Sequence, residues 1–185
     1  MTSTRSAIEI TELEEKPVKR SVVVATTAVY AAMYAALVIL FNPISYGVIN
    51  FRVANVLVGL IPLIGWPAVL GQMLGVFIAN QPAFGDQLGP IDLINVVPAF
   101  VFSWLLWRLK KTSVVLGLTL YSLALGVSVS LALDYVGFLS QGGKISLYAG
   151  FAYVTVGIFL ATTVCGYLLY RSVKKLGVLQ RRFPD

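Results

Sequence analysis

The chain has 185 residues, 58% of them hydrophobic and 12% charged, with a formal charge of +6 and a mean hydropathy of +0.85. That is too little polar surface to cover a water-soluble globule of this size, so the composition reads as an integral membrane protein. Histidine is absent and cysteine occurs once, at Cys165, which excludes the common zinc, haem and iron–sulfur ligand sets and any intrachain disulfide.

Residues 1–20 include "EITELEEKPVKR", polar and balanced in sign. They read as a cytoplasmic tail, and the long apolar run behind them argues against a cleaved signal peptide. Charge-free stretches follow at 21–51, 53–85, 93–107, 112–133 and 145–170, and crossing the hydrocarbon takes roughly 20 apolar residues in a helix. The second stretch is too long for one helix and is broken by "PLIGWP", where two prolines and a glycine favour a turn. The expectation is an all-α, polytopic membrane protein with six transmembrane helices, at about 22–41, 48–63, 67–83, 91–107, 113–134 and 147–170. Residues 21–172 then form the membrane domain, and 173–185 a basic tail. In an alternative reading, 48–83 is a re-entrant pair.

Basic residues precede the first span (Lys16, Lys19, Arg20), follow the fourth (Arg108, Lys110, Lys111) and follow the sixth (Arg171, Lys174, Lys175, Arg181, Arg182). With six crossings all three clusters fall on one face, which predicts cytoplasmic termini in a multi-pass plasma-membrane protein. The net charge is therefore a topology signal rather than a nucleic-acid footprint.

In the first span, "ATTAVYAAMYAALVIL" places Ala28, Ala32 and Ala36 four residues apart, beside a second row of Ala31 and Ala35. Such a face admits close approach of another helix, in a partner or in the same chain. Gly71, Gly75 and Ala79 form a similar row, flanked by Gln72 and Asn80, and this one is expected to face inward. Further polar residues gather toward the outer ends of several spans: Tyr46, Arg52, Asn55, Asp86, Asp92, Asn95 and Asp134 among them. Polar groups at membrane depth face a bundle interior or an aqueous pathway, so a cavity open to the outside is expected. Asp92, just after Pro90, reads equally as a ligand or as a charge matched to a helix N-terminus. Cys165 reads as a small packing residue. The chain carries no phosphate-binding G-x-x-x-x-G-K-[ST] loop, no G-x-S-x-G elbow and no H-E-x-x-H helix, so neither ATP hydrolysis by that loop nor the enzyme classes those motifs mark is expected.

The runs "NPISYGVINFRVANVLVGLIPLIG", "AVLGQMLGVFIAN" and "GPIDLINVVPAFVFSWLLWRLKK" resemble the queuosine-precursor transporter family (QueT), substrate-binding S components of energy-coupling factor (ECF) transporters. The likeness covers roughly 28–111; the last two spans match in hydropathy alone. It implies a six-helix, ECF S-component-like bundle with no cofactor. Such a bundle would bind a deazapurine from outside and dock on a membrane coupling protein carrying two ATPases. In the family pattern Ala28, Ala32 and Ala36 are the docking face, and residues 43–52 form a loop closing over the substrate. The chain departs from the pattern at Asn55, where an acidic residue is expected three positions after Arg52; that tilts the substrate toward a neutral deazapurine.

The implied binding residues are Tyr46, Phe51 and Phe84 for stacking on a flat ring, and Asn55, Gln72, Asn80, Asp92 and Asn95 for hydrogen bonds. Arg52 either contacts a substrate carbonyl or pins the closed loop through backbone carbonyls or Asp86. Two alternatives stay open: an S component for another nutrient or vitamin, and a stand-alone secondary carrier. No internal repeat of the kind solitary carriers use is visible.

Overall fold

The computed structural model describes residues 19–45, 51–81, 89–137 and 147–176. Among these residues the fold is all helical, in six elements. They are α1 (Arg20–Leu40), α2 (Val53–Ile64), α3 (Trp66–Ala79), α4 (Pro90–Leu109), α5 (Val114–Tyr135) and α6 (Tyr148–Leu176). A single turn, Asn42–Ser45, follows α1. By length and hydropathy α1, α4, α5 and α6 can each cross a membrane, whereas α2 and α3 are shorter apolar helices.

Local chemistry explains the boundaries. Gly65 adopts φ 80° between α2 and α3, a conformation that favours glycine, and Pro67 lies in the first turn of α3, where its missing N–H costs nothing. Ser113 caps α5, its side chain accepting from the Leu116 amide at 3.2 Å. Two helices open irregularly. The first two-thirds of α2, Val53–Leu60, and the start of α4, Gly89–Asn95, are 3-10 helix, with three residues per turn, so positions i and i+3 share a face. A π-helical segment, Leu160–Cys165, interrupts α6.

The helices close into a ring in which successive neighbours are α1, α3, α4, α5, α6, α2 and again α1. The expected inward row on α3 holds: a Cβ on Gly71 would come within 2.8 Å of Tyr30 Cβ, and one on Gly75 within 2.8 Å of Tyr34 Cβ. Glycine there lets α1 lie directly on α3, and Thr27 ties the pair by donating to the Pro67 carbonyl at 3.1 Å. On α1 the two alanine rows part company: Ala31 and Ala35 are buried, whereas Ala28, Ala32 and Ala36 are exposed.

Polarity is distributed as in a protein dissolved in lipid. Val24, Val29, Phe77, Val97, Val127, Leu131, Val156 and Leu168 are exposed, while Arg52, Asn55, Gln72, Asn80, Asp92 and Asn95 are buried. Basic and aromatic groups mark one end of the bundle. There Arg108 lies 5.3 Å from the ring centres of both Trp104 and Trp107, and Trp66 packs on Trp107 with centroids 5.8 Å apart, as at a membrane interface.

Two helix bounds differ from those expected. Of the second span, expected over 48–63, residues 48–50 lie outside the described residues; Phe51 and Arg52 are not helical, and the helix that begins at Val53 opens as 3-10 rather than α. The last helix runs on to Leu176, into the residues expected to form the basic tail. Residues 1–18 lie outside the described residues.

Candidate functional site

Arg52 stands at the threshold of α2, and its backbone carbonyl accepts from the Asn55 amide at 2.9 Å, closing the first 3-10 turn. The residue is 4% exposed, so the guanidinium sits inside the bundle and must be partnered there. Its Nη2 donates to Asp92 Oδ2 at 2.9 Å, a salt bridge, and its Nη1 donates to Asn80 Oδ1 at 3.0 Å. Among the described residues its charged partner is Asp92 on α4, forty residues along the chain; Asp86, named as a possible partner from sequence, lies outside the described residues.

Asp92 is committed on every side. Its second carboxylate oxygen accepts from Asn95 Nδ2, one 3-10 turn further on, and its backbone carbonyl accepts from Asn80 Nδ2 at 3.1 Å. Asn95 Oδ1 in turn accepts from the Ser128 hydroxyl on α5. The 3-10 geometry accounts for the pattern: Arg52 and Asn55 share one face of the opening of α2, and Asp92 and Asn95 share one face of the opening of α4. An ion pair and four neutral groups are thereby drawn from four elements into one layer.

A deeper layer is built around tyrosines. Tyr34 donates to Asn55 Oδ1 at 2.8 Å. The Tyr30 hydroxyl lies 2.8 Å from the Leu57 carbonyl and 3.1 Å from Gln72 Oε1, and Gln72 Nε2 donates to the Tyr121 hydroxyl at 2.8 Å. Gln72, 0% exposed, is thus held from both ends by phenols on α1 and α5.

Asn55 Nδ2, inside these layers, is one of the buried polar atoms without a partner, and the Ser45 and Ser130 hydroxyls close to them in sequence are others. An unpaired buried amide N–H costs about 1–3 kcal/mol, so Asn55 Nδ2 is the atom of the network best placed to gain from a ligand. Its amide orientation is set by Tyr34.

Of the residues expected to bind substrate, Arg52, Asn55, Gln72, Asn80, Asp92 and Asn95 come together in this network, and Phe51 is half-buried beside it in sequence. Tyr46 and Phe84 lie outside the described residues. Tyr30, Tyr34, Tyr121 and Ser128 were not expected. The signal for the first two was present in the sequence: Tyr30 and Tyr34 are four residues apart on the face of α1 that also carries Ala31, matching the spacing of Gly71 and Gly75.

A cleft of about 230 Å³ between α4 and α5 is lined by Ile91, Ile94, Ser128, Leu131, Ala132 and Tyr135, and touches the network only at Ser128. Apolar apart from Ser128 and the Tyr135 hydroxyl, it is smaller than a usual small-molecule pocket and lacks convergent polar groups.

One prediction tests the layering. Tyr34→Phe removes the donor to Asn55 and leaves a buried carbonyl oxygen unpaired, which should cost about 1–2 kcal/mol. It should appear as a lower unfolding temperature in detergent; an unchanged temperature would mean that the Tyr34–Asn55 bond contributes nothing net.

A family model described as QueT transporter matches residues 24–175, most of the chain and part or all of every helix from α1 to α6. Comparison with curated proteins and with solved structures gave no match.

Proposed function

The chain belongs to the QueT transporter family, and from that premise we propose that it is the substrate-binding membrane subunit for uptake of a queuosine precursor. The solute would be a deazapurine such as cyano-deazaguanine, aminomethyl-deazaguanine or queuine. A transporter family implies a small-molecule substrate and a membrane setting and is not an enzyme family; the substrate, partners and orientation are the proposal. The observation that carries it is the buried polar column from Arg52 to Gln72, drawn from α1 to α5 in a bundle whose outside is apolar.

In this reading the termini are cytoplasmic and the Arg52 end of the bundle faces outward, because the helix ends carrying Arg20, Arg108, Lys110 and Lys174 lie away from the network. Solute enters at that end and is bound by Asn55, with Phe51 and Tyr46 against its ring. Gln72, Asn80, Asp92 and Asn95 shape the polar wall, and Arg52 fixes the start of α2 against α4. Energy comes from a partner, an ECF coupling protein with two ATPases. Its contact is Ala28, Ala32 and Ala36, which are exposed although their neighbours Ala31 and Ala35 are buried. Small residues on a lipid-facing row favour close helix contact over lipid solvation.

The test is affinity purification of the chain from its native membrane, with wild type beside Ala32→Arg. Wild type should bring down an ATPase-containing coupling module, and Ala32→Arg should lose it while still binding deazapurine. Uptake driven by an ion gradient with no partner present would overturn the reading.

A further inference from the structure

Among the described residues, Arg52 and Asp92 are the only buried charged side chains, and they neutralise one another at 2.9 Å. Both carboxylate oxygens of Asp92 are occupied, one by Arg52 and one by Asn95. Among the described residues a cationic group entering this network would find no uncommitted counter-charge, and burying it would carry the desolvation cost of an unpaired ion. Every other buried polar side chain here is an amide or a hydroxyl.

Within that neutral lining Asn55 is distinctive. Its residue is 0% exposed, its Oδ1 is taken by Tyr34 and its Nδ2 has no partner. The unused capacity at this position is therefore that of a donor. We infer that the site takes a solute that is uncharged where it is buried, and that Asn55 Nδ2 reads it by donating to a carbonyl oxygen or an unprotonated ring nitrogen. The inference deepens the proposed function and rests on its placing Asn55 in the substrate site. An acidic residue at this position would do the opposite, accepting from a solute N–H or attracting a cation. The residue thus sets both the polarity of the hydrogen bond and the charge tolerated beside it.

The probes are cyano-deazaguanine, which is neutral, and aminomethyl-deazaguanine, which is cationic and has the same carbonyl-bearing ring. Titration calorimetry on the purified full-length chain in lipid nanodiscs should show the neutral compound binding at least tenfold tighter. Asn55→Leu should weaken its binding about tenfold, the loss of one buried hydrogen bond at about 1.4 kcal/mol. Asn55→Asp should move the preference toward the aminomethyl compound. Equal or tighter binding of the aminomethyl compound by wild type overturns the neutrality, and undiminished binding by Asn55→Leu overturns the role of Asn55; both leave the deazapurine reading standing. Binding of neither compound overturns this inference, and if queuine does not bind either, the deazapurine reading falls with it. The wild-type comparison needs no substitution, so a folding defect in a variant leaves the charge arm decisive.

Discussion

Arg52→Met is expected to destabilise the protein by about 3–5 kcal/mol, because it leaves the Asp92 carboxylate buried without its counter-ion. Asp92 is 0% exposed, so its carboxylate relies on partners inside the bundle rather than on bulk water. Asn80 Oδ1 loses the bond from Arg52 in the same stroke. The double variant Arg52→Met/Asp92→Leu removes both charges and keeps side-chain volume, and should recover most of the lost stability, since a buried pair and a well-packed apolar pair differ little in net energy. Thermal unfolding of the two single variants and the double variant in one detergent gives the coupling energy directly. A double variant as unstable as the worse single one would show that the pair does not act as a unit. Solute binding should not recover with stability: the salt bridge holds the first turn of α2 against α4, and Asn55 lies on that turn. Separation of the two readouts would mark Arg52 as a positioning residue.

Gly59→Ala should be the most damaging of the conservative glycine substitutions, at about 3 kcal/mol, the upper end of ordinary overpacking costs. A Cβ on Gly59 would fall 2.0 Å from the carbonyl oxygen of Gly166 and 2.6 Å from its carbonyl carbon, so backbone rather than a flexible side chain must yield. The contact is asymmetric. A Cβ on Gly166 would come no nearer than 3.4 Å to Gly59 or Val56, an ordinary contact, and Gly166→Ala should cost far less. Unfolding temperatures of the two variants side by side test this; equal losses would mean that α2 and α6 separate easily at their crossing. Gly166 directly follows the π-helical segment of α6, so a shift forced at Gly59 would be delivered to the least regular part of that helix.

The long spans were legible because hydropathy and length suffice for them. The first was expected at 22–41 and runs Arg20–Leu40; the fifth was expected at 113–134 and runs Val114–Tyr135. The 3-10 opening of the second at Val53 was not legible, since nothing in local composition separates 3-10 from α-helix. The inward row of Gly71, Gly75 and Ala79 was legible from its polar neighbours. The pairing of Arg52 with Asp92 was not, because forty residues separate the two and sequence alone offered carbonyls and Asp86 as well. The tyrosines were missed for a related reason: in an apolar run a tyrosine reads as bulk, and only the tertiary fold shows that Tyr30 and Tyr34 bring hydroxyls to Leu57, Gln72 and Asn55.

The fit of Tyr30 against Gly71 and Tyr34 against Gly75 also has a mechanical side. Two rings four residues apart rest in two notches four residues apart, so α1 and α3 are indexed like a toothed rack. A slide of α1 by a fraction of a turn would drive both rings onto the flanking side chains of α3; the next seating is a full turn away, about 5.4 Å along the axis. Small movements of the exposed alanine row must therefore carry α3 along with α1, and with it Gln72 and Asn80, so that whatever presses on the outside of the first helix is felt as a rigid displacement at the polar interior.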